Sequence, residues 1–455
     1  MKIRLSITTA IILLFANINI LAQTNMKLSL KEAQEYALKN NTQIKNAKLD
    51  IVLAKEKVWE TTTIGLPQVS GTANYSNVLE VPEMNFGGYI NWQAINPNSP
   101  LTAGMVMDNY IEGEPIKLGT NENVTLNLNV SQLIFSGEYI VGLQASKTYK
   151  MLSEQTLTKT EAEIRELIVN TYYLVLVVEK SKEILKSTFE NIEKTAFEID
   201  ELLSVGYVEE TDADQIKLNV SNIKNSLNSI DRQVDLSYKL LKIQMGFELD
   251  INLELTDNLN DIISNIYYEQ LVNEQFILEN NIDYKLITTQ EHLSNLSLKR
   301  EKTAFLPSIA AFYTHQKQMN EPEFNFSPPD IFGLNIEVPI LSSGLRLTKV
   351  SQAKIELEKV RNIKWQVEQN LFLGVEQAKS DLKTNYEKYV NQKQNLELAK
   401  KIYDKTLVKY QEGISTSMDL TQAHNQYLTV QSDYFNEMIE LLYAKSSLDK
   451  LLDKK

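Results

Sequence analysis

The chain contains no cysteine. Disulfides, thiolate metal sites, a thiol nucleophile and lipidation at an N-terminal cysteine are therefore excluded. Glycine and proline are scarce, 15 and 10 in 455 residues, which favours long helices because both residues interrupt them. Basic residues are outnumbered, and the net charge of −13 argues against a nucleic-acid partner, since phosphate binding needs a basic surface. No segment after the N-terminus offers about 18 consecutive apolar residues. The mature chain is thus expected to lack a transmembrane helix, leaving a soluble protein or a membrane β-barrel. The three histidines, His292, His315 and His424, are far apart and show no metal-ligand spacing. There is no phosphate-cradling glycine loop and no nucleophile elbow. Paired acids such as Glu209-Glu210 fit a solvated charge cluster. The expectation is a protein that is not an enzyme and uses no cofactor or metal.

What is present begins with an export signal. Lys2 and Arg4 form a short basic region, Ile7 to Phe15 is mostly apolar, and Ile18-Asn19-Ile20-Leu21-Ala22 leads to cleavage after Ala22. Residues 1–22 are read as a signal peptide rather than an anchor, because Asn17 and Asn19 interrupt a stretch already short of a spanning helix.

The chain is then written twice. At one constant offset, Asn40-Asn41 matches Asn280-Asn281, Lys45 matches Lys285 and Leu66-Pro67 matches Leu306-Pro307. At a second, Ser136-Gly137 matches Ser343-Gly344, Gly206 matches Gly413, Asp212 matches Asp419 and Gln215 matches Gln422. These ordered, ungapped pairs define two structural repeats, 28–247 and 267–453, joined by a polar segment at 248–266.

Each repeat has the same layout. A helix of about 25 residues, starting at Asn41 or Asn281, stops before Leu66-Pro67 or Leu306-Pro307, where proline disfavours helical geometry at the preceding residue. The period then changes to two. Val124, Leu126, Leu128 and Val130 alternate with polar residues, as do Phe332, Leu334, Ile336 and Val338. Weaker alternation precedes each, at Val69 to Tyr75 and Ile309 to Tyr313. The strands are expected at about 68–78, 123–134, 308–318 and 331–341. After them, Gly137 and Gly206 bracket a stretch without proline, and Gly344 and Gly413 bracket another of equal length. A helix of that size, roughly 70 residues, is roughly 100 Å long and requires coiled-coil packing. Helices of about 34 residues return from Asp212 and Asp419, placing hairpin tips near 206 and 413.

The strands admit two readings. One is a pair of half-buried soluble hairpins on a secreted or periplasmic coiled-coil scaffold. The other is lipid-facing strands whose polar side lines a lumen. That second reading forces oligomerisation, because an open sheet leaves unpaired backbone groups in hydrocarbon. Two, three or four copies would give about 8, 12 or 16 strands. The scaffold explains poorly why strands recur at matched points of both halves. Asn127, Asn129, Asn335 and Glu337 are the lumen-facing candidates. Tyr75, Tyr89, Trp92, Tyr313 and Phe332 are candidates for an interfacial aromatic belt, with scattered loop aromatics an equal reading for Tyr89 and Trp92.

The doubled helix-Leu-Pro-strand junctions, the strand-to-Ser-Gly-to-helix junctions (Val130 to Gly137 and Val338 to Gly344) and the Val205-Gly206-Tyr207 and Glu412-Gly413-Ile414 turns together resemble the TolC family of outer-membrane efflux proteins. The resemblance covers nearly the whole mature chain. Two departures stand out: Leu133 replaces the proline that Pro339 retains, and the 79–122 loop is long.

The resemblance implies a mainly α protein with a small membrane β-barrel part. A homotrimer would build a 12-stranded barrel and a 12-helix periplasmic tunnel in the outer membrane of a Gram-negative bacterium. Its implied partners are outer-membrane lipid, a periplasmic adaptor and an inner-membrane pump of RND or ABC type. Its implied function is a passive exit duct for efflux or type I secretion. By the same resemblance, Leu203, Val205, Gly206, Tyr207, Tyr410, Gly413 and Ile414 are adaptor-contact candidates at the tips. Asp212, Asp419, Gln422 and Ser415 are constriction candidates. For both acids the competing reading is a helix cap or first-turn acid, with Thr211 a further capping candidate beside Asp212. Three copies of Asp419 around one axis would repel, favouring a bound cation or raised pKa values.

Overall fold

A computed structural model describes residues 26–85, 87–113, 115–321, 325 and 327–454. The signal peptide expected at 1–22 lies outside the described residues. In chain order the elements are β1 (Met26–Leu28), α1 (Leu30–Asn40), α2 (Thr42–Thr63), β2 (Gln68–Asn77), β3 (Glu83–Met84), β4 (Tyr89–Ile90), α3 (Ala103–Asp108), β5 (Tyr110–Ile111), β6 (Ile116–Lys117), β7 (Glu122–Phe135), α4 (Gly137–Ser204) and α5 (Glu210–Met245). The second half supplies β8 (Leu253–Leu255), α6 (Leu259–Ser264), α7 (Tyr268–Val272), α8 (Ile282–Thr303), β9 (Ser308–Gln318), β10 (Asp330–Glu337), α9 (Leu345–Gln411) and α10 (Ser417–Leu451). The protein is mostly helical, and α4 and α9 have 68 and 67 residues.

The chain divides into two units, each assembled from separated segments. The first comprises 1–53, 151–291 and 360–455 and is built from helices and the short β1–β8 parallel pair. Its core gathers Ile168, Tyr172, Leu241, Leu382 and Leu441, all fully buried. The Tyr172 hydroxyl bonds the Leu28 carbonyl at 3.0 Å and the Asp257 carboxylate at 2.9 Å. Asp257 also accepts from the Leu30 amide at 2.6 Å, fixing the start of α1. Ser29 and Glu32 form a capping box there. The matched asparagines have matched work. Asn41 accepts from the Gln43 amide at 2.7 Å, and Asn281 from the Asp283 amide at 2.9 Å, so each caps the helix that follows it.

The second unit comprises 54–150 and 292–359 and carries a four-stranded antiparallel sheet in the order β10-β9-β7-β2. The two inner strands, β7 and β9, come from different halves of the chain, so the halves share one sheet. Residues opposite one another lie on one face. Val69 faces Val130, Tyr75 faces Val124, Val130 also faces Tyr313, and Tyr313 faces Phe332. Leu126, Leu128, Leu334 and Ile336 fall on the same side. That apolar face is open: Phe332 is 75% exposed and Leu334 60%. A register shift between Leu133 and Phe135 brings Phe135 opposite Ile309 and onto it.

Three expectations are corrected. β10 ends at Glu337 rather than near 341, because Pro339 cannot donate to a strand ladder. The 79–122 segment is not a plain loop: its strands β3–β6 and β4–β5 pair as a ribbon beyond β2 and β7. Tyr89 and Trp92 belong to that ribbon region, so they do not join Tyr75, Tyr313 and Phe332 on the sheet face.

Candidate functional site at the hairpin tips and sheet face

At each hairpin tip, glycine closes the long helix. Gly206 has φ +80° and Gly413 φ +71°, a left-handed conformation that costs glycine least. The Tyr207 amide bonds the Leu202 carbonyl at 2.9 Å and the Gly206 amide the Leu203 carbonyl at 3.0 Å. At the second tip, Ile414 bonds Lys409 at 2.8 Å and Gly413 bonds Tyr410 at 3.0 Å in the same pattern. Both are Schellman caps, in which the last carbonyls of the helix find donors.

The tip candidates separate into two groups. Val205, Gly206, Tyr207, Gly413 and Ile414 are exposed, with Tyr207 82% and Ile414 76% accessible. Leu203 and Tyr410 instead pack against a core of Ile199, Ala213, Ile216, Tyr403, Leu420 and Tyr427. They hold the tip together rather than present a rim. Burial, with the nearby Asp212 charge, pushes the Tyr410 hydroxyl above its usual pKa.

The acids behave differently from each other. Asp419 lies in the first turn of α10 and completes a capping box with Thr416. Its carboxylate accepts from the Thr416 hydroxyl at 2.7 Å, the Thr416 amide at 3.1 Å and the Ser415 hydroxyl at 3.3 Å. Bonding to Thr416 holds its pKa below the usual carboxylate range, so within one chain the cap prevails and the shift is downward, not upward. Gln422 is exposed one turn along the same helix.

Asp212 is a first-turn acid of α5, as the competing reading has it, but not its cap. Glu209 occupies the N-cap position of α5 without a side-chain bond, and Thr211 does not cap either. Asp212 accepts instead from the hydroxyl of Ser417, which also lies 2.7 Å from Gln215 Oε1. Nearby, the Asn219 amide donates to Thr421 at 2.8 Å. These bonds join α5 to α10. Sequence reasoning missed Thr416, although Thr-x-x-Asp before a helix is its visible signal. It missed Ser417 because no local pattern announces a partner 205 residues away.

His424, which has no metal-ligand spacing in the sequence, lies on α10. It is buried, 1% exposed, with neither ring nitrogen hydrogen-bonded, and its ring lies tilted against Tyr403 with centroids 5.3 Å apart. Burial lowers its pKa to about 4. Among the described residues no group of three or more acids and histidines is placed to hold a metal.

On the sheet, Asn127, Asn129, Asn335 and Glu337 share the face opposite the apolar one. Asn127 donates to Thr72 at 3.4 Å and Thr314 to Asn129 at 2.9 Å. No helix among the described residues is long and apolar enough to cross a membrane.

Residues 278–453 match the family of outer membrane efflux proteins. The matched segment lies in the second half of the chain, from just before α8 to the end of α10. The fold likeness extends over both halves. The Campylobacter jejuni CmeC outer membrane channel is 19% identical, with a TM-score of 0.69 over 93% of this chain and 85% of that one. The Vibrio cholerae outer membrane protein VceC is 15% identical, with a TM-score of 0.69 over 93% and 95%. CusC, from a structure describing transmembrane channel formation, is 15% identical, with a TM-score of 0.71 over 93% and 92%. No curated protein matches the chain. Members of the TolC-like efflux family are homotrimeric passive channels that work with adaptor and pump proteins.

Proposed function

We propose that this chain is an outer-membrane efflux channel, three copies of which close their sheets into one 12-stranded barrel, continued by a tunnel of 12 helices in the periplasm of a Gram-negative bacterium. The observation that carries this is the open sheet. β2 and β10 each have one neighbour, and one face presents Val69, Leu126, Leu128, Phe332, Leu334 and Ile336 exposed. In lipid, those edges require pairing and that face is the stable outer surface. The lumen is then lined by Asn127, Asn129, Asn335 and Glu337. The repeat boundaries, 28–247 and 267–453, describe two such half-units per chain.

In this reading the duct passively conducts substrate delivered by an inner-membrane pump, RND or ABC, through a periplasmic adaptor. The exposed tip residues Val205, Tyr207 and Ile414 meet the adaptor. Asp212, Ser415, Asp419 and Gln422, which all lie within a turn or two of the tips, form the constriction that opens when the adaptor engages.

The absence of cysteine makes a direct test available. Single cysteines placed along β2 are paired with single cysteines along β10, and membranes are oxidised. A covalent trimer that co-fractionates with the outer membrane and resists high salt is expected. A monomer recovered in the soluble periplasmic fraction would overturn the proposal in favour of the scaffold reading.

A further inference from the structure

The face of the sheet that carries Asn127, Asn129, Asn335 and Glu337 holds one aromatic ring. Phe312 on β9 lies opposite Ser131 on β7 and Gly333 on β10, whereas Tyr75, Phe135, Tyr313 and Phe332 fall on the apolar face. The ring does not stand up from the strands. A β-carbon at position 333 would lie 2.6 Å from Phe312 Cζ and 2.7 Å from its Cε1, well inside the roughly 3.5–4.0 Å at which carbons pack. The far end of the ring therefore fills the place that a side chain at 333 would take, and Gly333 is half-buried beneath it. Glycine weakens a strand, and an aromatic folded over it from the neighbouring strand restores its cover. Ser131, Ala310 and Thr314, the other neighbours of Phe312 on this face, all carry a β-carbon. Gly333 alone leaves the ring room to lie flat.

We infer that Gly333 sets the bore of the duct at this level: it seats Phe312 flat against the wall, and a side chain in its place lifts the ring into the passage. The inference rests on the channel reading, in which this face lines the lumen. A substitution at 333 moves the ring rather than the backbone, because the atoms it meets are the far end of a side chain that turns about χ1. The trimer repeats the seat at one height, so a single methyl group per chain narrows the passage from every side at once. Selection by size would then reside partly in the barrel, far along the chain's fold from the acids at the hairpin tips.

The test uses the full-length protein in the outer membrane of intact cells. Glu337→Cys supplies a unique thiol in this cysteine-free chain. It lies on the polar face at the helix end of the sheet, below Phe312, so a reagent from outside must pass the ring to reach it. The probes are the small anion 2-sulfonatoethyl methanethiosulfonate and the bulkier fluorescein-5-maleimide, and each rate is taken per assembled trimer. Gly333→Ala, and more so Gly333→Val, is expected to slow the bulky reagent several-fold more than the small one. Adding Phe312→Ala to either should return the ratio of the two rates to its starting value. Ile336→Cys, on the apolar face, should stay unlabelled because lipid covers it. An unlabelled Ile336→Cys with a ratio that Gly333→Ala and Gly333→Val leave unmoved would overturn the inference alone, as would a slowing that persists without the Phe312 ring. Ile336→Cys labelled as fast as Glu337→Cys, or Glu337→Cys that neither reagent reaches, would overturn the channel reading and the inference with it.

Discussion

Ser417, at the start of α10, donates its hydroxyl hydrogen to Asp212, in the first turn of α5. The bond connects the two hairpins where both long helices have already ended. Ser417 is buried and Asp212 half-buried. Removing the hydroxyl leaves a carboxylate with one donor fewer and no room to recruit water freely. Ser417→Ala is expected to destabilise the tip by about 1–3 kcal/mol, the range for hydrogen bonds to charged groups. If the constriction reading holds, it also raises single-channel conductance. Limited proteolysis near 206 and 413 and bilayer recordings check the two parts separately.

The tip glycines admit no side chain without strain. Gly413→Asp places a β-carbon at φ +71°, costing roughly 1–2 kcal/mol, and adds charge beside Ile414. Export is expected to be lost while the trimer persists. Adaptor pull-down together with native gel mobility distinguishes these outcomes, and unchanged adaptor binding would count against the tip as the contact.

Asp419 serves as a cap, and charge and cap can be separated. Asp419→Asn keeps an oxygen for Thr416 but removes the charge. Asp419→Ala removes both, and Thr416→Val removes the cap alone. Reduced cation preference and weaker cation block are expected in both Asp419 variants, with a larger conductance in Asp419→Ala. Thr416→Val should loosen the start of α10 while keeping cation preference. If conductance and block are the same in all of them, Asp419 is not part of the gate. Because its folded pKa is depressed, whatever the cap contributes is present above the ordinary carboxylate range and is lost as pH falls through the lowered value.

His424 gives a second pH dependence, with the sign set by burial. The folded state keeps the ring neutral down to about 4, whereas an ordinary histidine protonates near 6.5. Between those values the unfolded chain binds the extra proton. Stability is therefore full above about pH 6.5 and falls by about 3 kcal/mol as pH drops to 4. His424→Phe, which keeps a ring beside Tyr403, should flatten that part of the profile, as read by thermal melts across pH.

The two faces of the sheet should respond oppositely to charge. Leu128→Arg, on the apolar face, is expected to cost about 2–4 kcal/mol at a bilayer midplane and to reduce the amount of assembled protein. Asn127→Arg, one residue away on the polar face, should assemble normally and shift ion selectivity. Heat-modified gel mobility and bilayer reversal potentials measure the two effects.

The sequence was most legible where one residue type forces one geometry. Leu66-Pro67 and Leu306-Pro307 end α2 and α8, Gly206 and Gly413 close α4 and α9, and alternation of Val124 to Val130 marks β7. It was least legible where meaning lies between distant residues. Nothing near Asp212 names Ser417, and nothing in β7 names β9. Leu203 and Tyr410 carry the same apolar character as Val205 and Ile414, and only packing distinguishes the inward pair from the outward one. His424 and Gln431, seven residues apart on the buried side of α10, look like ordinary helix polar residues until their burial is known.

The Thr314–Asn129 hydrogen bond between β9 and β7 bridges 185 residues of chain. Closing so large a loop is slow relative to forming either local hairpin. The ribosome must therefore have passed β9, which ends at Gln318, before the middle of the sheet can exist at all. In the barrel reading, any factor that escorts the chain to the bilayer has to protect β2 and β7 until β9 arrives.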